Sequence, residues 1–332
     1  MKINFNPISF SQNINQKNYT NHTNKLERTP HKDCVSFSGK KPHQKTLKPR
    51  IQTAVNYSQD ILNKGKEKNL SLNDISDITS KYSENVTVLP MSELKNKIPD
   101  ADNYGAFFFA QMDSNFKPSS KEMYIKLPQE NADDMEMLLF AMNSAHEFTH
   151  IEQMDTNEAF NQLKVMSKGN YEYAKAIMGI GDTIFAFFDN QIQAQTVSPL
   201  IYKSIDVNTF KKYSAITPVA TPITREMLPK SCGAKNEKDM QQTMRKTYQS
   251  LFENAMISIK QNQPEILDMI PENETYESLI KKVRSYCAAK AVDEREAYTT
   301  ESEVAKKAMG ISKTLNIDVF PMYYDILSKA FE

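Results

Sequence analysis

The chain has 332 residues, of which 39% are hydrophobic and 25% are charged. This length and composition allow a sizeable folded core and exclude a collagen, a disulfide-rich miniprotein and a wholly disordered chain. The 41 basic and 41 acidic residues balance, so net charge indicates no partner, and only 8 glycines with no tryptophan favour a helix-rich body. The three cysteines, Cys34, Cys232 and Cys287, are far apart and form no C-x-x-C pair, which favours a reducing compartment.

The first 50 residues differ in kind from the rest of the chain. They carry 8 Lys and 2 Arg against only Glu27 and Asp33, and their isolated apolar residues follow neither a helical nor a strand period. Such a segment cannot bury enough surface to offset the entropy of ordering. We therefore predict a disordered tail over residues 1–50 and one folded domain over residues 51–332. The tail is a solubilising extension, an inhibitory leader or an export signal.

Targeting signals of the usual kinds are absent from the sequence. The first residues lack the apolar core of a signal peptide, and no stretch approaches about 18 uninterrupted apolar residues. The basic tail lacks arginine clusters with interleaved aromatic residues. We expect no membrane span and no nucleic-acid partner, with a location in the cytoplasm or export by a non-classical route.

The first half of the predicted domain mixes helices with short strands. Hydrophobic periodicity predicts helices over residues 51–64 and 71–82, followed by a β-branched strand at residues 86–88 that Pro90 ends. Two further strand-like runs, at residues 105–111 and 122–127, are joined by a polar loop and predict a hairpin.

A long helix should follow this hairpin. Asn131, Asp133 and Asp134 resemble a helix N-terminus, because a capping side chain and acidic groups suit the positive end of the helix dipole. The helix should extend to about Met154. Beyond it the periodicity is mainly helical, apart from a long extended loop around Pro218, Pro222 and Pro229. The predicted fold class is therefore α+β and mainly helical, with a small sheet before the long helix.

That helix contains the motif most informative about function, H-E-F-T-H at residues 146–150. Four residues at about 100° each bring the second histidine about 40° past one full turn, so both imidazoles leave one face of the helix. His22, His31 and His43 all lie in the tail, so the predicted domain has only His146 and His150. An apolar stripe at helical spacing leads to His146 and turns the pair inward. These features predict a Zn²⁺ site, although a pair of helix-surface or core histidines that make ordinary hydrogen bonds is the alternative.

Glu147 lies beside the two histidines and is the candidate catalytic residue. Zinc that has three protein ligands keeps one position for water and lowers the pKa of that water to about 7. A neighbouring carboxylate can then accept the proton of the water as it attacks a peptide carbonyl.

Two strands followed by a helix with H-E-x-x-H resemble the upper part of a zincin metallopeptidase. The resemblance implies that an edge strand, here residues 105–111 or 122–127, pairs with extended substrate. The metzincin pattern H-E-x-x-H-x-x-G-x-x-H is excluded because Gln153 and Thr156 occupy its glycine and histidine positions. With no later histidine available, the resemblance points to the gluzincins, in which a glutamate from a later helix is the third ligand.

Glu294 is the preferred third ligand. The segment Asp293–Tyr298 is similar to the E-x-x-A-[DY] pattern of the third-ligand helix in several gluzincin-like families. Helix phase supports the choice independently, because Ile280, Cys287 and Glu294 are seven residues apart and share one apolar seam. Glu296 should point about 200° away, towards a more polar face.

Several other residues are candidates for the third ligand, for groups that orient the ligands or for a hydrogen-bond donor to the substrate. Glu296 and Asp189 are alternative third ligands, and Asp189 could instead accept a hydrogen bond from a histidine. Asn143, Gln153 and Tyr298 could orient the ligands. Tyr298, Tyr323 and Tyr324 are candidate donors to the developing oxyanion.

The sequence therefore predicts a zinc-dependent metallopeptidase, with a peptide or protein as substrate. The absence of the G-A-M-E-N exopeptidase box favours an endopeptidase. The alternatives are an inactive, zinc-stabilised interaction module and a delivered effector or toxin protease with one protein target.

Overall fold

A computed structural model describes residues 47–95, 97–98, 105–156, 158–204, 213–219 and 221–332. The described part is mainly helical with one small sheet, which confirms the predicted α+β class at that level. Residues 1–46 of the predicted tail lie outside the described residues. The described chain becomes helical at Pro49, two residues before the predicted domain boundary.

The first two helices lie where the periodicity predicted them. Helix α1 spans Pro49–Glu67 and begins with proline. Proline has no N–H, and it costs little at this position because the N–H groups in the first turn of a helix have no acceptor within the helix. Helix α2 spans Leu72–Ser80, and a reciprocal capping box between Ser71 and Asp74 stabilises its start.

The three strands form one mixed sheet in the order β1-β3-β2. Strand β1 spans Val86–Pro90 and pairs parallel with β3, Pro118–Ile125; the short helix α3, Met91–Leu94, follows β1 directly. Strand β2 spans Ala106–Met112 and pairs antiparallel with β3, which confirms the predicted hairpin. Of the two runs expected as the edge, β2 is the outer strand and β3 is central.

Helix α4 spans Asp134–Asp155 and contains the H-E-F-T-H sequence. Its N-cap is Asp133, whose carboxylate accepts bonds from Met135 N and Glu136 N, while the Glu136 side chain bonds back to Asp133 N. Asn131 adopts a positive φ of 67° before the helix. Of the three residues that predicted this helix N-terminus, Asp133 is therefore the one that caps the helix.

Helices form most of the remaining described chain. They are α5 (Glu158–Met166), α6 (Tyr171–Phe187), a π-helical turn (Phe188–Ile192), α7 (Gln193–Ser204), α8 (Met227–Ser231), α9 (Glu237–Asn262), α10 (Glu265–Asp268), α11 (Tyr276–Met309) and α12 (Val319–Phe331). The predicted proline-rich loop is correct at Pro218, which forms an isolated bridge with Leu315, and at Pro222. It is wrong at Pro229, which lies inside α8.

Helix α11 is the central element, because it packs against α4 on one side and α12 on the other. One apolar cluster lies between the sheet, α1 and α4, where the rings of Tyr57 and Phe148 stack 4.3 Å apart. A larger cluster fills the space among α6, α9, α11 and α12. No helix in the described ranges has both the length and the apolar character needed to cross a membrane.

Gly181 on α6 allows a close approach to α11. A Cβ atom at this position would lie 2.3 Å from Cδ1 of Tyr286, whose hydroxyl donates to Asp182 at 2.9 Å and holds the ring in place. We expect Gly181→Ala to lower the free energy of unfolding by about 1–3 kcal/mol through overpacking, measured by urea denaturation.

Gly65→Ala is the matched control. The one close contact of its Cβ would be the terminal Cε of Met137, at 2.4 Å, which a flexible side chain can relieve; Leu70 Cδ1 would lie at 3.7 Å, an ordinary contact distance. We expect this second substitution to leave stability unchanged or to raise it by up to about 1 kcal/mol, since alanine is the better helix former. Equal destabilisation by both substitutions would contradict the packing argument.

Candidate metal centre

His146, His150 and Glu294 converge between α4 and α11. Nε2 of His146 lies 3.4 Å from Oε2 of Glu294, and Nε2 of His150 lies 3.6 Å from Oε1 of the same carboxylate. One ligand atom from each residue lies within 4.8 Å of the others. Two ligands bound tetrahedrally to zinc are about 3.4 Å apart, so this group could hold a metal ion.

The local helix geometry explains this convergence. His146 and His150 are one turn apart on the face of α4 that meets α11. Thr149, on the same helix, donates its hydroxyl to Thr300 of α11 at 2.9 Å, which fixes the register of the two helices. Glu294 therefore faces the histidine pair, as its place on the apolar seam predicted.

Each histidine contacts an acceptor on its other ring nitrogen. Nδ1 of His150 lies 2.8 Å from Oε1 of Gln153, in a hydrogen bond. Nδ1 of His146 lies 2.6 Å from Oε1 of Glu301, although the two groups lack the alignment of a hydrogen bond. Contacts of this kind hold imidazole rings in place and leave Nε2 for a metal.

Glu301 is a site residue that the sequence analysis missed. It lies seven residues after Glu294, so it continues the seam that runs from Ile280 through Cys287. Extending the same phase argument by one heptad would have found it. It approaches His146 from two turns further along the helix than Glu294.

Glu147 is held against the edge strand. Lys126 N donates to Gly105 O at 3.0 Å, so these two residues form a hydrogen-bonded pair of the antiparallel ladder. Hydrogen-bonded and non-hydrogen-bonded pairs alternate along such a ladder, which makes Phe108, three residues further along, part of a non-hydrogen-bonded pair. The backbone N–H of Phe108 therefore points away from β3, and it donates to Oε2 of Glu147 at 2.7 Å. Burial raises the pKa of the Glu147 carboxyl above its ordinary value, despite the nearby histidines.

The charges of the ligand residues stabilise one another. Burial raises the pKa of Glu294, but the charges of His150 and His146 outweigh this effect and hold the pKa well below its usual range. Burial lowers the pKa of His146, but the Glu301 and Glu294 carboxylates reverse that effect and raise it.

The two alternative third ligands make other contacts. Glu296 is 3% exposed, compared with 20% for Glu294, and it forms ion pairs with Lys48 and Arg50. Glu296 therefore points to polar and charged groups, as expected, but this face of α11 is buried because the start of α1 covers it. Asp189 lies on the π-helical turn, accepts a hydrogen bond from the Tyr324 hydroxyl and is not in the group that could hold a metal. Burial and the charge of Glu294 raise the pKa of Asp189 to about 6.

A cleft of about 250 Å³ opens beside His146 and Glu147. Its lining comes from the start of β2, from α4 and from α11: Gly105, Ala106, Asn143, His146, Glu147, Tyr298 and Glu301. Asn143 packs so closely on Gly105 that a Cβ there would lie 2.5 Å from its Nδ2.

Of the three candidate tyrosines, Tyr298 lies nearest to the histidines. Its ring meets that of His146 edge to face, with centroids 4.7 Å apart, and it lines the cleft. Tyr324 stacks on Tyr298, whereas Tyr323 donates its hydroxyl to the Phe188 carbonyl at 2.8 Å within the core. Tyr323 is therefore committed to a structural contact.

Comparisons with known proteins identify no relative, since no family model, curated protein or solved structure matches this chain.

Zinc content distinguishes Glu294 from Asp189 as the third ligand. We expect about one zinc per chain in the wild type and in Asp189→Asn, and a large loss in Glu294→Ala, because Glu294, unlike Asp189, faces Nε2 of both histidines. Inductively coupled plasma mass spectrometry on purified, dialysed protein measures this. Loss of zinc in Asp189→Asn with retention in Glu294→Ala would reverse the assignment.

Proposed function

We propose that this protein is a zinc-dependent metallopeptidase of the gluzincin type and that it acts as an endopeptidase. The observation that carries the proposal is the convergence of His146, His150 and Glu294 within 4.8 Å, with Glu147 beside them. Two imidazoles and one carboxylate are the ligand set of catalytic zinc sites that keep a position for water.

The donor atoms suit zinc in number and kind. His146, His150 and Glu294 would hold the ion through two nitrogens and one oxygen, at separations of 3.4 and 3.6 Å between each histidine and the carboxylate. Bound there, Zn²⁺ supplies Lewis acidity, which lowers the pKa of water to about 7 and polarises a carbonyl. Glu301 and Gln153 keep the imidazoles turned towards the ion.

Glu147 is the proposed general base. Its carboxylate is fixed by the hydrogen bond from Phe108 N, and its raised pKa moves it closer to the pH at which it can both accept and return a proton. In this proposal Glu147 takes the proton from the attacking water and delivers it to the leaving amine.

Strand β2 is the proposed binding edge for substrate. It is one of the two outer strands of the sheet, and its outward N–H at Phe108 points at Glu147. An extended peptide that pairs with this edge would lie across the cleft and bring a backbone carbonyl near the histidine pair. Backbone pairing suits cleavage within a chain, which supports the endopeptidase proposal.

Replacing the proposed base without replacing a ligand tests this mechanism. We expect Glu147→Gln to retain its zinc and to lose about 100- to 10,000-fold in the rate of casein or peptide hydrolysis, because the amide cannot accept the proton. Zinc content and hydrolysis of a fluorescent peptide library measure the two effects.

Glu152→Gln, a change of the same kind on the same helix, is the control and should keep wild-type activity. A Glu147→Gln protein as active as this control would contradict the proposal. A wild type that holds zinc and cleaves neither casein nor the library would favour the interaction module or the single-target protease.

A further inference from the structure

The residues at the start of α1 connect to the metal centre through a chain of polar contacts. We propose that Glu296, held by Arg50 and Lys48, is a positioning residue that sets the tautomer and the ring orientation of His150 through Gln153. This inference rests on the proposed function, since it concerns the same site.

Gln153 is the link in this chain, and its neighbours determine how its amide is turned. Its Nε2 donates to the backbone oxygen of Asp293 at 3.0 Å and lies 3.5 Å from Oε2 of Glu296. Both of these groups only accept hydrogen bonds, so the amino side of Gln153 must face them. The carbonyl oxygen of Gln153 then faces Nδ1 of His150, at 2.8 Å.

A carbonyl oxygen can only accept, so it selects the form of His150 that has its proton on Nδ1. That tautomer leaves the lone pair on Nε2, the atom that faces Glu294. The opposite orientation of the amide would present N–H groups to Nδ1 and move the proton to Nε2, where it would block a metal. The orientation of Gln153 therefore decides whether His150 is ready to bind a metal.

Glu296 can perform this function because its own position is fixed. Its side chain is 3% exposed, and Arg50 approaches with Nε 2.7 Å from Oε2 and with Nη2 3.3 Å from Oε1. Lys48 forms a further ion pair with Oε1. Both oxygens of the carboxylate are thus held by cations, and Oε2 faces Gln153 as an acceptor.

The test uses two variants of the full-length chain. In Glu296→Gln, one uncharged carbonyl oxygen replaces two carboxylate oxygens, so Arg50, Lys48 and Gln153 compete for a single acceptor and the present orientation of Gln153 is disfavoured. Arg50→Gln instead keeps the Glu296 carboxylate and removes the guanidinium group that contacts both of its oxygens. We expect both variants to bind zinc about 10- to 100-fold more weakly, the range typical of groups that orient ligands.

Two measurements report on the inference. Competition with a chelator of known affinity gives the zinc dissociation constant. Two-bond ¹H–¹⁵N correlation spectra of histidine-labelled, metal-free protein at alkaline pH, where imidazole is neutral, give the tautomer of His150. The chain has only 5 histidines, so the spectrum is simple to assign. Both variants should shift His150 from the Nδ1–H form towards the Nε2–H form.

The control is Lys282→Gln. Lys282 pairs with Glu274 at 2.8 Å near the start of α11, so its loss removes a partly buried ion pair from the same helix at a distance from the histidines. We expect this variant to keep both the wild-type zinc affinity and the wild-type tautomer, even where thermal unfolding shows a loss of stability comparable to that in Arg50→Gln.

Wild-type affinity and tautomer in both Glu296→Gln and Arg50→Gln would overturn the inference and leave the proposed function standing. Should Glu296→Gln fail to fold, Arg50→Gln alone decides. A wild type that binds no zinc would contradict the proposed function, and the metal-free spectra would still test the control of the tautomer.

Discussion

The packing of α4 against α11 is the constraint on which the site depends. The two histidines, Glu147, Glu294 and Glu301 all come from these two helices, and the edge strand holds Glu147. Small side chains allow the close approach, with Ala145 and Ala305 both buried in one cluster. The hydroxyl contact of Thr149 with Thr300 sets the register. A shift of one turn between the helices would separate Glu294 from both histidines.

The same interface concentrates negative charge. Glu147, Glu294 and Glu301 all approach the two histidines in partly or fully buried surroundings. Carboxylates placed together in a region of low dielectric repel one another and lose hydration, which costs free energy unless cations offset it. A divalent ion bound by the histidines would provide that compensation. The electrostatics and the ligand geometry therefore point to the same kind of occupant.

Much of this site could be predicted from the sequence because its patterns are local. The i, i+4 spacing places both histidines on one face of α4, and the heptad from Cys287 places Glu294 on a buried seam of α11. The positions of Glu296 and Glu301 depend on what each helix packs against. Glu296 is buried because α1 covers it, and Glu301 reaches His146 because the two helices share one register. Neither fact is contained in the period of a single helix.

The central claim is that His146, His150 and Glu294 together bind zinc. Crystals of the zinc-loaded protein, measured on both sides of the zinc absorption edge, test this claim directly. We expect one strong anomalous peak at about 2.0–2.2 Å from Nε2 of both histidines and from the Glu294 carboxylate. A peak elsewhere, or none between α4 and α11 in crystals that contain zinc, would contradict it.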